Sequence, residues 1–110
     1  MCGFFGTTDI SSLTSQRIAS AFSSISSRGP DDSGEFSDSS IFLGHVRLSI
    51  SDLSASGYQP FSSSKYPDHI LVFNGEIYNT DSIASFLVDH NIFPSSSCDT
   101  ELLFLLLIHF

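Results

Sequence analysis

With 110 residues, the chain has room for one small domain or for part of a larger one. Hydrophobic residues at 41% suffice for a core, but only 15% of the residues are charged, so the polar surface rests on hydroxyls, chiefly serine. Four basic residues against twelve acidic ones give a net charge of −8, which leaves no basic patch and excludes sequence-tolerant binding to nucleic acid or anionic lipid.

The N-terminus, Met1-Cys2-Gly3-Phe4-Phe5-Gly6, has neither the basic flank nor the apolar stretch of a signal peptide. It matches no lipoprotein or myristoylation signal either. The expectation is a cytoplasmic protein in which Cys2 and Cys98 remain free thiols. A first helix is expected from about Thr14 to Ser27, with Ile18, Ala21, Phe22 and Ile25 on one face. Its serines make it weak in isolation, so packing must hold it. The turn signal Gly29-Pro30-Asp31-Asp32-Ser33-Gly34 ends it.

Ile41 to Ile50 reads as a strand, with Phe42, Gly44, Val46, Leu48 and Ile50 on one face and His45, Arg47 and Ser49 on the other. The apolar run Ile70 to Phe73 reads as a central strand covered on both sides, after which Asn74-Gly75 turns the chain. One helix starts near Thr80 with Ile83, Phe86 and Leu87 inward. Another starts after Asp99 and is still running at Phe110. Leu102 to Ile108 is apolar on nearly every side and calls for cover all round, yet it is far too short to span a bilayer. The fold class is α+β.

Several residues carry chemistry. Removal of Met1 would expose Cys2 as the first residue, beside an α-amine that is partly neutral at pH 7 and able to take the thiol proton. The alternative is a small buried residue at a frayed terminus. Asn74 and the uncrowded N–H of Gly75 could stabilise an oxyanion, although Asn-Gly after an apolar run is also the strongest short hairpin signal. Arg47 could hold a carboxylate in a bidentate pair or form an internal salt bridge. Asp99 could hold an ammonium group or cap the last helix, with Glu101 in its first turn. Asp31-Asp32 lacks any repeated ligand spacing, so no metal site is expected.

These pieces fall in an order that resembles the class II glutamine amidotransferases. The blocks are Met1 to Gly6, Arg28-Gly29-Pro30-Asp31-Asp32-Ser33-Gly34, Leu43 to Leu53, Gln59-Pro60-Phe61, Val72-Phe73-Asn74-Gly75-Glu76-Ile77-Tyr78-Asn79 and Cys98-Asp99-Thr100-Glu101. Arg-Gly-Pro-Asp-Asp and Asn-Gly-Glu-Ile-Tyr-Asn are similar to the asparagine synthetase branch. The class carries His before Arg-Gly-Pro-Asp, where this chain has Ser27.

The resemblance implies an N-terminal-nucleophile hydrolase with an α/β/β/α sandwich, of which residues 1–110 would be the N-terminal part. Cys2 would attack the glutamine side-chain amide and form a thioester, with Asn74 and the Gly75 N–H stabilising the oxyanion. Arg47 would bind the α-carboxylate and Asp99 the α-ammonium. Leu48, Ser49, Ile50, Ser51 and Glu76 would line the same pocket, largely through backbone. L-glutamine is the implied partner, along with a synthetase domain that receives the ammonia; homodimerisation stays open. No cofactor is expected in this chain, since ATP and Mg would belong to the synthetase domain, which lies outside these residues. The alternative is a non-catalytic remnant, or a regulatory or binding module, of an asparagine synthetase-like protein.

Overall fold

Thr14 begins the first helix by accepting a hydrogen bond from the Arg17 N–H at 3.2 Å, an N-cap that satisfies one of the orphan donors of the opening turn. The computed structural model describes residues 1–49 and 55–110. Helix α1 spans Ser15–Ile25 and tightens into a 3-10 turn at Ser26–Arg28, just before Gly29-Pro30. Its expected apolar stripe is the face it packs with: Ile18, Ala21, Phe22 and Ile25 are half-buried while the serines between them are exposed.

The surface it packs on is a three-stranded antiparallel sheet ordered β1-β3-β2, with β1 at Gly3–Thr7, β2 at Asp32–Ser37 and β3 at Phe42–Arg47. Gly3 pairs with Val46 and Asp32 with Arg47, so β3 is the central strand. Gly44 makes the helix–sheet contact possible. A Cβ there would lie 2.5 Å from the Phe5 ring and 3.0 Å from Phe22. Those rings instead meet edge to face over the glycine, with centroids 4.9 Å apart, and Phe42 stacks on Phe5 at 5.7 Å. The two faces expected of β3 show in its contacts, Gly44 against Phe5 and Phe22 and His45 against Phe73, but the strand stops at Arg47, short of Ile50. Strand β2 begins inside the segment read from sequence as a turn.

The second half builds its own core. Strands β4, Phe61–Ser62, and β5, Ile70–Leu71, form a small antiparallel sheet, and helices α2, Thr80–Asp89, and α3, Asp99–His109, pack together beside it. Leu87, Ile92, Leu102, Phe104 and Leu105 form the buried cluster, with Phe61 and Leu71 packed against it. Helix α2 ends in a Schellman motif: Ile92 N–H reaches the Leu87 carbonyl, Asn91 N–H reaches that of Val88, and Asn91 takes the left-handed conformation at φ 61°.

Two expectations need correction here. Ile70 to Phe73 is not a central strand: β5 is two residues long and pairs only with β4 among the described residues, because the backbone of Phe73 is claimed by side chains instead of a ladder. Phe86 does not point inward; its ring lies at the surface against His90 and Phe110. The all-round cover that α3 calls for is supplied on one side: Leu102, Phe104 and Leu105 are buried while Leu107 is 65% exposed. Among the described residues, no helix is long and apolar enough to cross a membrane.

Candidate active site

Cys2 sits immediately before β1, so the pairing of β1 with β3 brings it to the end of the central strand. There the backbone of Leu48 brackets the thiol. The Leu48 N–H donates to Cys2 Sγ at 3.4 Å, and the Leu48 carbonyl lies 3.7 Å from the same sulfur. The Arg28 Nε donates to the Cys2 carbonyl at 3.0 Å, fixing the peptide from the other side. Both cysteines are free thiols.

Arg47, the last residue of β3, is only 6% exposed, and its guanidinium lies 5.4 Å from the Tyr58 ring centre. Its backbone is held by the Gly29 to Asp32 segment. Pro30 bridges to Arg47, and the Asp31 N–H donates to the Arg47 carbonyl at 3.0 Å. The Asp31 carboxylate then accepts from the Ser49 N–H at 2.7 Å. Together with the contact to Cys2 Sγ, these bonds use the backbone groups that would have continued the strand. This is why β3 ends where the site begins.

Asn74-Gly75 does not turn a hairpin. Residues 72–79 run without regular structure, and a bend at Gly75 leaves that residue exposed and Asn74 half-buried. The preceding residue is fixed at both ends of its backbone, by Gln59 Oε1 accepting from the Phe73 N–H at 2.6 Å and by His45 Nε2 at 3.3 Å from the Phe73 carbonyl.

Asp99 is the first residue of α3, and the N-cap is Cys98, so the capping reading of Asp99 is corrected by one position. Its carboxylate still lies where the helix dipole favours negative charge, and Oδ2 accepts from the Ile77 N–H at 3.1 Å. Glu101, buried beneath it, accepts from the Ser95 N–H at 2.7 Å and from the Ser96 hydroxyl, which pins the loop entering the helix. Burial pushes the Cys98 thiol up from its ordinary value and keeps it in the neutral form.

The site residues expected from sequence converge on one cavity of about 260 Å³. Cys2, Arg47, Leu48 and Ser49 line it from the sheet end, Asn74, Gly75 and Glu76 from the irregular segment, and Asp99 from the start of α3. Ile50 and Ser51 lie outside the described residues. Sequence reasoning missed Tyr78 and Thr100, which also line the cavity. Both fall inside blocks that carried the resemblance, and that position is the one signal that could have flagged them.

The family described as glutamine amidotransferase domain matches residues 1–110. The chain belongs to that family. Among curated relatives of this glutamine amidotransferase domain, asparagine synthetase [glutamine-hydrolyzing] 3 of Bacillus subtilis is 31% identical over 107 residues, covering 94% of this chain and 17% of that protein. The nodule asparagine synthetase [glutamine-hydrolyzing] of Pisum sativum is 38% identical over 103 residues, covering 90% of the chain and 17% of its own length. Amidase chry2 of Gibberella zeae is 40% identical over 97 residues, covering 86% of the chain and 14% of its length. The domain therefore spans less than a fifth of these relatives.

Proposed function

We propose that the cavity binds L-glutamine and hydrolyses its side-chain amide to glutamate and ammonia. The observation that carries this reading is the meeting of Cys2, Arg47, Asn74, Gly75 and Asp99 in one cavity of a glutamine amidotransferase domain. Removal of Met1, itself a lining residue, frees the Cys2 α-amine to accept the thiol proton. The sulfur attacks the amide carbon, and the resulting oxyanion is held by the Asn74 side-chain amide and the Gly75 N–H. The C–N bond then breaks, the nitrogen takes a proton and leaves as ammonia, and a thioester remains. Water attacks the thioester through the same oxyanion site, releasing glutamate and restoring the thiol.

Arg47 pairs with the substrate α-carboxylate and Asp99 with its α-ammonium, holding the amide over Cys2. Leu48, Ser49 and Glu76 shape the pocket around it. The succession of α1, the β1-β3-β2 sheet, the β4-β5 sheet and the α2–α3 pair supports assignment to the α/β/β/α sandwich of N-terminal-nucleophile hydrolases, as its N-terminal part. The names of the asparagine synthetase relatives support asparagine synthesis as the use of the ammonia, by a synthetase domain outside these residues.

The test is ammonia release from glutamine by the protein carrying this chain, compared with its Cys2→Ala variant. Glutamine hydrolysis that disappears in Cys2→Ala, with an unchanged melt, supports the reading. Equal rates in the two proteins would remove Cys2 as nucleophile, and no hydrolysis by the unmodified protein would leave a binding module.

A further inference from the structure

We infer that His45 and Gln59 are positioning residues for the oxyanion site, acting as a two-sided clamp on the backbone of Phe73, the residue that leads into Asn74 and Gly75; this rests on the proposed role of that pair. Phe73 directly precedes the pair and belongs to no strand, so no ladder fixes its orientation. Its N–H donates to Gln59 Oε1 at 2.6 Å, and its carbonyl lies 3.3 Å from His45 Nε2. Both side chains are buried, His45 at 1% exposure and Gln59 at 7%.

The two polar groups hold different parts of the molecule together. His45 stands in the centre of β3, opposite Gly34 of β2. A Cβ on Gly34 would overlap the Gln59 carbonyl oxygen, so the backbone of Gln59 rests directly on the sheet at that glycine. The clamp therefore ties the oxyanion segment to β3, which ends in Arg47, and to β2 beside it. Gln59 holds the peptide before the Phe73 Cα and His45 the peptide after it, so together they fix both backbone torsions at Phe73, which neither alone would do.

The chemistry of His45 points the same way. A carbonyl oxygen only accepts, so Nε2 must carry the ring proton and Nδ1 must present a bare lone pair. Nδ1 is buried and has no hydrogen-bond partner among the described residues. A buried polar atom left unsatisfied is costly, and an apolar side chain would avoid that cost. What histidine supplies here, and leucine could not, is the single bond to Phe73. Oxyanion donors act only when held within a fraction of an ångström of the developing charge, so orientation at Phe73 bears on rate more than on substrate binding.

The experiment is a double-mutant cycle on glutamine hydrolysis by the protein carrying this chain. His45→Leu should lower kcat by about tenfold or more with KM within about twofold, and His45→Gln, which keeps a donor near Nε2, should restore most of the rate. On an Asn74→Ala background, His45→Leu should cost less than about threefold, because the Asn74 amide is already gone and only the Gly75 N–H is left to orient. Gln59→Met gives an independent arm with the same expectation should His45→Leu fail to fold. Equal losses with and without Asn74 in these arms, or His45→Gln behaving no better than His45→Leu, would overturn the clamp. If Asn74→Ala alone leaves kcat unchanged, the oxyanion assignment itself fails, and the clamp loses its object.

Discussion

The Leu48 N–H lies 3.4 Å from Cys2 Sγ although the two residues are 46 positions apart in sequence. Leu48 is also the residue after Arg47, so the group proposed to attack and the group proposed to hold the substrate are separated by one backbone step. Their relative position is set by the β1–β3 pairing and by the segment that buttresses the end of β3.

That dependence makes Gly29 sensitive. A Cβ at this position would lie 2.5 Å from the Arg47 nitrogen and 2.5 Å from the Val46 carbonyl carbon, both backbone atoms of the central strand. Backbone cannot rotate away as a flexible side chain can. Gly29→Ala should destabilise by about 1–3 kcal/mol and raise KM for glutamine, since the displacement falls on Arg47. Denaturant melts and steady-state kinetics check this together, and an alanine variant with unchanged midpoint and KM would contradict it.

Asn74 and Arg47 should separate kinetically. Asn74→Ala is expected to lower kcat by on the order of 10²–10³ with little change in KM, because its donor acts on charge that develops during reaction. Arg47→Ala should weaken binding first, because the α-carboxylate carries the same charge throughout. A near-normal KM in the arginine variant would remove Arg47 from the substrate site.

The helices were legible in the sequence because periodicity is local: the stripe Ile18, Ala21, Phe22 and Ile25 is the face α1 buries. Strand ends were not. Leu48, Ser49 and Phe73 leave the ladder because Cys2, Asp31, Gln59 and His45 take their backbone groups, across separations of 14 to 46 residues that no short window records. Strand β2 was hidden because Asp32, Ser33 and Gly34 are turn-forming types, and they become a strand only by pairing with β3. The candidate site was named residue by residue from its resemblance, whereas its convergence on one cavity is a property of the fold alone.

Asn91 offers a test of local backbone chemistry away from the cavity. It holds φ 61° at the end of α2, and the turn it makes brings Ile92 back onto Leu87. Asn91→Gly should match or slightly exceed the parent in stability, since glycine occupies this region without strain. Asn91→Val should cost about 1–2 kcal/mol, because a branched Cβ clashes there. Thermal melts of the pair decide it, and a valine variant as stable as the glycine one would mean that the motif does not constrain the fold.

Stability should also report the state of His45. Burial, the largest influence, pushes its imidazole below the ordinary 6.5; the neighbouring charge of Arg47 adds to this, while the Phe73 carbonyl and Asp32 oppose it. A base whose folded pKa is depressed binds its proton more readily in the unfolded chain. Between the folded value and 6.5 the unfolded state therefore holds more protons, and stability rises with pH across that window. The contribution is complete above 6.5 and is lost as pH falls through the folded value, when a cation must be buried beside Arg47. His45→Gln keeps a donor for Phe73 but cannot titrate. Denaturation midpoints measured from about pH 5 to 8 should fall more steeply on the acid side for the parent than for His45→Gln. Parallel curves for the two proteins would show that His45 takes up its proton as easily inside the fold as outside it.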